Sequence, residues 1–131
     1  MSDVTLTELA GRLDDPELVL LDVRGADEFS GDVVAPCDPR AGRIPGARHV
    51  DLARLFAARD AEAVRALVGA APGAEVIAYC HSGSRSAMAV DVLAAAGYEA
   101  RNFVGSWHEW SRHSELPAET GTAMGSVPAG D

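Results

Sequence analysis

The chain has 131 residues, the size of one ordinary domain. Hydrophobic residues make up 47% of it, which excludes a disordered chain and allows a buried core. A formal net charge of −9 opposes binding to phosphate backbones, so a general nucleic-acid partner is excluded and any anion site must be a local positive pocket.

Thr5-Leu6-Thr7-Glu8 reads as a capping box. Leu6, Leu9, Ala10 and Leu13 follow at helical spacing, and Asp14-Asp15-Pro16 ends the helix they predict. Leu18-Val19-Leu20-Leu21 is an unbroken apolar run, the pattern of a strand buried on both faces. It stops abruptly at Asp22-Val23-Arg24. Residues 25–48 are broken by Gly31, Pro36, Pro39, Gly42, Pro45 and Gly46. They predict a long irregular excursion with one helical turn near residues 27–29, and such loops in small domains are usually functional or mobile. A short strand is expected at His49-Val50. Asp60 is placed to cap a helix whose apolar stripe is Val64, Leu67, Val68 and Ala71.

Val76-Ile77-Ala78-Tyr79 predicts a second buried strand, and Cys80 follows it directly. A helix is expected over residues 85–96, with Gly97 at its end. Residues 101–104 predict a last strand. Trp107 and Trp110 share one side of a short helical turn, where packing against the sheet is expected for at least one of them. Strands alternating with helices imply an α/β domain with a mostly parallel sheet. Ligands of such sheets bind beyond the carboxyl ends of the strands, where Asp22, Arg24 and Cys80 fall.

Two cysteines, Cys37 and Cys80, are too few for an all-thiolate metal site and make a poor disulfide framework, so no metal or other cofactor is expected. The first residues lack the basic start and apolar core of a secretory signal. No apolar stretch approaches the roughly 18 residues of a membrane span. A reducing cytoplasmic setting without membrane partners is the expectation, with both thiols free.

Tyr79-Cys80-His81-Ser82-Gly83-Ser84-Arg85-Ser86 joins a strand to a helix. A tight turn there aims successive backbone N–H groups inward at the helix's positive end. These amides, the helix dipole and Arg85 favour the Cys80 thiolate. Gly83 lets the backbone turn, while Ser82, Ser84 and Ser86 supply small hydrogen-bonding groups. His81 is expected to face solvent from the loop mouth. Exposed free thiol is the simplest reading of Cys37, with a resolving role for the Cys80 sulfur as the alternative.

The stretch from Cys80 to Arg85 resembles the active-site loop of rhodanese sulfurtransferases. Leu21-Asp22-Val23-Arg24 with Glu28-Phe29, Gly42-Arg43-Ile44-Pro45-Gly46-Ala47, and Gly105-Ser106-Trp107-His108-Glu109-Trp110 are similar to further motifs of that family. The resemblance covers about residues 5–112. It implies a five-stranded parallel sheet flanked by helices, in a rhodanese-like domain over residues 1–113; residues 114–131, rich in Pro, Ala, Gly, Thr and Ser, read as a flexible tail. It also implies a ping-pong sulfur transfer with Cys80 as persulfide carrier, from a donor such as thiosulfate to cyanide or a thiol. Asp22 and Arg24 would support the pocket wall, or bridge each other structurally. A relay module handing sulfur to an acceptor protein is the alternative function. Rhodanese-like phosphatases have five residues between Cys and Arg; the four here enclose a smaller ring, suited to one sulfur atom. Arg43 stands where the family usually has His, and it reads equally as an exposed loop arginine or as a pocket residue. Glu28 stands where some thiosulfate enzymes place an arginine, and a carboxylate there is expected to repel a dianionic donor.

Overall fold

The two central strands are the two apolar runs. β1 (Val19–Asp22) and β3 (Glu75–Tyr79) lie side by side and parallel, with Leu20 opposite Ile77 and Asp22 opposite Tyr79. The computed structural model describes residues 3–121. Its sheet holds four parallel strands in the order β2-β1-β3-β4, with β2 (Arg48–His49) and β4 (Glu99–Asn102) at the edges. The position of the expected fifth strand is held by one parallel bridge between Val4 and Phe103. Pairing goes no further because Thr5 already caps the next element: its side chain accepts from the Glu8 amide at 3.1 Å and starts α1 (Leu6–Ala10).

Side-chain alternation sorts the core into two layers. Leu21, Val76 and Ala78 face one side, against Leu55, Val64, Val68, Ala89 and Leu93. These belong to α3 (Leu52–Ala57), α4 (Ala61–Val68) and α5 (Ser84–Ala95). Leu20, Ile77 and Tyr79 face the other side, with Leu9, Ile44, Phe103 and both tryptophans of α6 (Ser106–Trp110). A strand covered on both faces has no polar positions to alternate with, which is why β1 reads as a continuous apolar run.

Asp60 caps α4 as expected, accepting from the Ala63 amide at 2.9 Å. The short α3 is not predicted by the sequence reading. Asp51 caps it, accepting from the Ala53 amide, but six residues are too few to display a periodic stripe. β4 starts earlier than predicted, since register pairs Glu75 with Glu99. The excursion carries α2 (Ala26–Ser30) at the predicted helical turn.

Residues 114–121 lie against the excursion in the stretch read as a flexible tail. Arg43 and Glu119 form an antiparallel bridge, the Trp110 indole donates to Pro117 O at 2.8 Å, and the Gly121 amide donates to Ser30 O at 2.8 Å. Residues 122–131 lie outside the described residues.

Candidate active site

β1 and β3 end in register, so the segments after Asp22 and Tyr79 leave the sheet at the same edge. Cys80 is the first residue beyond β3 and is almost wholly buried. Its sulfur receives the Gly83 amide at 3.1 Å and the Ser86 amide at 3.3 Å, and the Ser86 hydroxyl lies at 3.3 Å. Gly83 is the N-cap of α5 and no side-chain oxygen caps the helix. The Cys80 sulfur therefore takes the place of the capping oxygen, accepting from the third helical residue. Ser84 opens the helix.

Burial alone would push the Cys80 thiol up. The hydrogen bonds from the Ser86 hydroxyl and from the Ser86, Gly83 and Ser82 amides outweigh that effect and hold it below its ordinary value. With Cys37→Ser leaving a single thiol, ultraviolet titration of the thiolate is expected to show a midpoint below the ordinary 9.0, and Ser86→Ala is expected to raise it. Because the folded value is depressed, this group's contribution to stability is complete above the unfolded value and is lost as pH falls through the folded one.

α6 grips the other side of the loop. The Trp107 amide donates to Cys80 O at 2.9 Å and the His108 amide to His81 O at 2.8 Å. The Ser106 hydroxyl accepts from the Cys80 amide at 3.0 Å and donates to Phe103 O at 2.9 Å. Ser106 holds φ of +55°, an uncommon conformation for a residue with a side chain. Asn102, at the end of β4, donates to Gly83 O at 3.3 Å. Nothing local in the sequence marks Ser106 or Asn102 for a role at the thiol. Ser106 lies inside the stretch from Gly105 to Trp110, but its contact with residue 80 is visible only in the fold.

Arg85 points across to α2 rather than onto the sulfur. Its guanidinium meets Glu28 in a two-bonded pair of 2.8 and 3.1 Å. The Glu28 hydrogen bonds raise the Arg85 pKa. Burial alone would raise the Glu28 carboxyl; Arg85 and the Gly25 amide outweigh it and keep the carboxylate charged. Glu28 is thus the partner of Arg85, and its charge is largely balanced before any donor arrives.

Asp22 and Arg24 are both buried and satisfy each other. The Asp22 carboxylate accepts from the Arg24 amide at 2.9 Å and from its guanidinium at 2.7 to 3.1 Å, and Arg24 also donates to Gly42 O at 2.7 Å. The guanidinium stacks over Trp107 and Tyr79 at 5.4 and 5.6 Å. This pair ties the Gly42 segment to the sheet edge.

Two expectations change, those for Arg43 and His81. Arg43 is neither exposed nor in the sulfur cradle: it is buried over the Phe29 ring at 4.3 Å and donates to Phe29 O and Gly121 O. Both tryptophans pack in the core, as expected for at least one of them, and the Trp107 indole donates to Arg40 O at 2.9 Å. His81 turns toward the excursion instead of solvent, with Nε2 2.9 Å from Asp38 Oδ2. Cys37 is exposed and free.

Fold and loop together define an α/β domain whose one buried thiol is stabilised as an anion at a strand-to-helix turn. The chain belongs to the rhodanese-like domain family, whose sequence profile matches residues 5–113. It is 40% identical over 113 residues to SseB of Mycobacterium tuberculosis, which carries a provisional thiosulfate sulfurtransferase name, and the match covers 81% of this chain and 39% of SseB. A crystal structure of a probable thiosulfate sulfurtransferase is similar with a TM-score of 0.77 and 44% identity, over 89% of this chain and 47% of that one. The human single-domain sulfurtransferase TSTD1 is similar with a TM-score of 0.65 and 29% identity, over 85% of this chain and 96% of that one. The chain spans less than half the length of the curated relatives it matches. No described helix is long and apolar enough to cross a membrane.

Proposed function

We propose that this chain is a sulfurtransferase that carries a sulfane sulfur as a persulfide on Cys80, in a cytoplasmic setting. The observation that carries the reading is the cradle of amides and hydroxyl around one buried sulfur. The Cys80 thiolate attacks the outer sulfur of thiosulfate. A new S–S bond forms, the old one breaks, and sulfite leaves with its electron pair. The terminal sulfur bears the negative charge and rests against the N-terminus of α5. Cyanide or a thiolate then attacks that sulfur, departs as thiocyanate or a persulfide, and returns Cys80 as thiolate. Ser82, Gly83 and Ser86 hold the anion. His81 and Ser84 flank it, Arg85 positions the loop through Glu28, and Asp22 with Arg24 fixes the wall behind it.

The engaged Arg85 and the charge of −9 both work against a small dianion. They favour a less charged donor or a sulfur carried by a partner protein, with this domain as a relay. Intact-mass measurement after incubation with thiosulfate, 3-mercaptopyruvate or glutathione persulfide tests the proposal and selects among the donors. The expected result is a gain of one sulfur, discharged by cyanide as thiocyanate and lost in Cys80→Ser. No gain with any of the three would overturn it.

A further inference from the structure

The residue after the thiol opens onto a second polar cluster that the sulfur cradle does not use. Cys37, Asp38, His81 and His108 bring one ligand atom each to within 4.8 Å of one another. They come from three segments: the excursion, the active loop and α6. Backbone bonding sets the two histidines, because the His108 amide donates to His81 O, and their rings meet edge to face at 5.4 Å. Asp38 then enters from the excursion, its carboxylate almost wholly buried. Oδ1 lies 3.2 Å from His108 Nδ1 and 3.7 Å from Cys37 Sγ, while Oδ2 lies 2.9 Å from His81 Nε2.

Neither Asp38 Oδ2 nor His81 Nε2 completes a hydrogen bond of good geometry among the described residues, although both atoms are buried. A buried, unsatisfied carboxylate oxygen aimed at an unsatisfied imidazole nitrogen calls for a physical account, and a bound cation supplies one. Donors around a tetrahedral zinc ion, with bonds of about 2.0–2.3 Å, stand about 3.3–3.8 Å apart; Asp38 Oδ1 is near that spacing from His108 Nδ1 and Cys37 Sγ, and the full set, within 4.8 Å, needs only to draw in around the ion.

We infer that Cys37, Asp38, His81 and His108 form a site for a divalent transition-metal ion of the zinc class. One thiolate, one carboxylate and two neutral imidazoles suit a borderline-soft ion and reject calcium or magnesium. The two anionic ligands balance the charge of the ion. Binding forms a metal–sulfur bond and releases the Cys37 thiol proton to solvent. Arg112, 3.8 Å from Asp38 Oδ1, also donates to Cys37 O at 2.7 Å and so holds the backbone of the ligand segment. The bound ion would join the excursion to the first residue after Cys80 and to α6, fixing the frame of the active loop from outside.

The test is independent of sulfur transfer, because it is run on Cys80→Ser protein, where Cys37 is the remaining thiol. Calorimetric titration with zinc is expected to give one ion per chain. Cys37→Ser and His108→Ala, both at accessible side chains, are each expected to weaken binding at least tenfold. Cobalt in place of zinc is expected to show tetrahedral visible bands and a thiolate-to-cobalt charge-transfer band that Cys37→Ser removes. No zinc uptake, equal affinity in the parent and both variants, or an octahedral cobalt spectrum without the thiolate band would each overturn the inference.

Discussion

Gly83→Ala is expected to slow sulfur loading of Cys80 about a hundredfold, the scale of losing one preorganised donor to a reacting anion. It is also expected to destabilise the fold by about 1–3 kcal/mol, the usual cost of forcing a side chain into a sparsely populated backbone region. Gly83 holds φ of +99°, and a methyl group there would stand 2.6 Å from Val104 O. That oxygen belongs to the backbone just after β4 and cannot rotate away as a side-chain tip would. The loop must move instead, and it carries the Gly83 amide away from Cys80 Sγ. The thiolate midpoint should therefore rise along with the loss of loading. Gly73→Ala is the matched control: its φ is +89°, but a methyl group there meets nothing within 4 Å. It should cost stability and leave loading unchanged. Equal loss of loading in the two variants would mean that the close approach to Val104 does not matter.

Elements whose cause is local are legible in the sequence. The apolar runs of β1 and β3, the Asp60 cap and the turn from Cys80 to Arg85 all announce themselves within a few residues. What stays hidden depends on partners distant in the chain. Arg85 looks like a free cation until the fold brings Glu28 to it across 57 positions. Arg43 looks like a loop arginine because Phe29 and Gly121, which enclose it, are far away in sequence. The cluster around Asp38 has no spacing pattern, since its four residues come from three separate segments. α3 stays hidden for a different reason, its length of six residues.

These hidden contacts share one architectural role. The excursion between β1 and β2 contains little secondary structure, so side chains must hold it. Arg40 donates to four backbone carbonyls, those of Trp110, Ser111, His113 and Leu116. Arg24 reaches Gly42, and Arg43 reaches Gly121. An arginine's several donors in a rigid fork suit this work, because irregular backbone leaves carbonyls that no ladder satisfies. The excursion is thereby ordered around the active loop without a sheet of its own.

Asp22→Ala should be the most destabilising change at this edge, by about 3–5 kcal/mol, because it leaves the Arg24 guanidinium buried without a counter-charge. Against a typical total of about 5–15 kcal/mol, that is a large fraction. Burial alone would pull the Arg24 pKa down; the Asp22 carboxylate outweighs it and holds it above the ordinary value. Removing the carboxylate therefore exposes the full desolvation cost. It also strips the Arg24 amide of its acceptor. The pair as a whole need not be so valuable, since a buried ion pair exchanged for apolar groups of similar volume is often neutral. Asp22→Ala combined with Arg24→Met should accordingly recover much of the stability lost by Asp22→Ala alone, measured by denaturant unfolding. The double variant still loses the bond to Gly42 O, so sulfur loading should stay impaired when stability has returned. A double variant as unstable as Asp22→Ala alone would show that the loss comes from the missing carboxylate's own contacts and not from a stranded arginine.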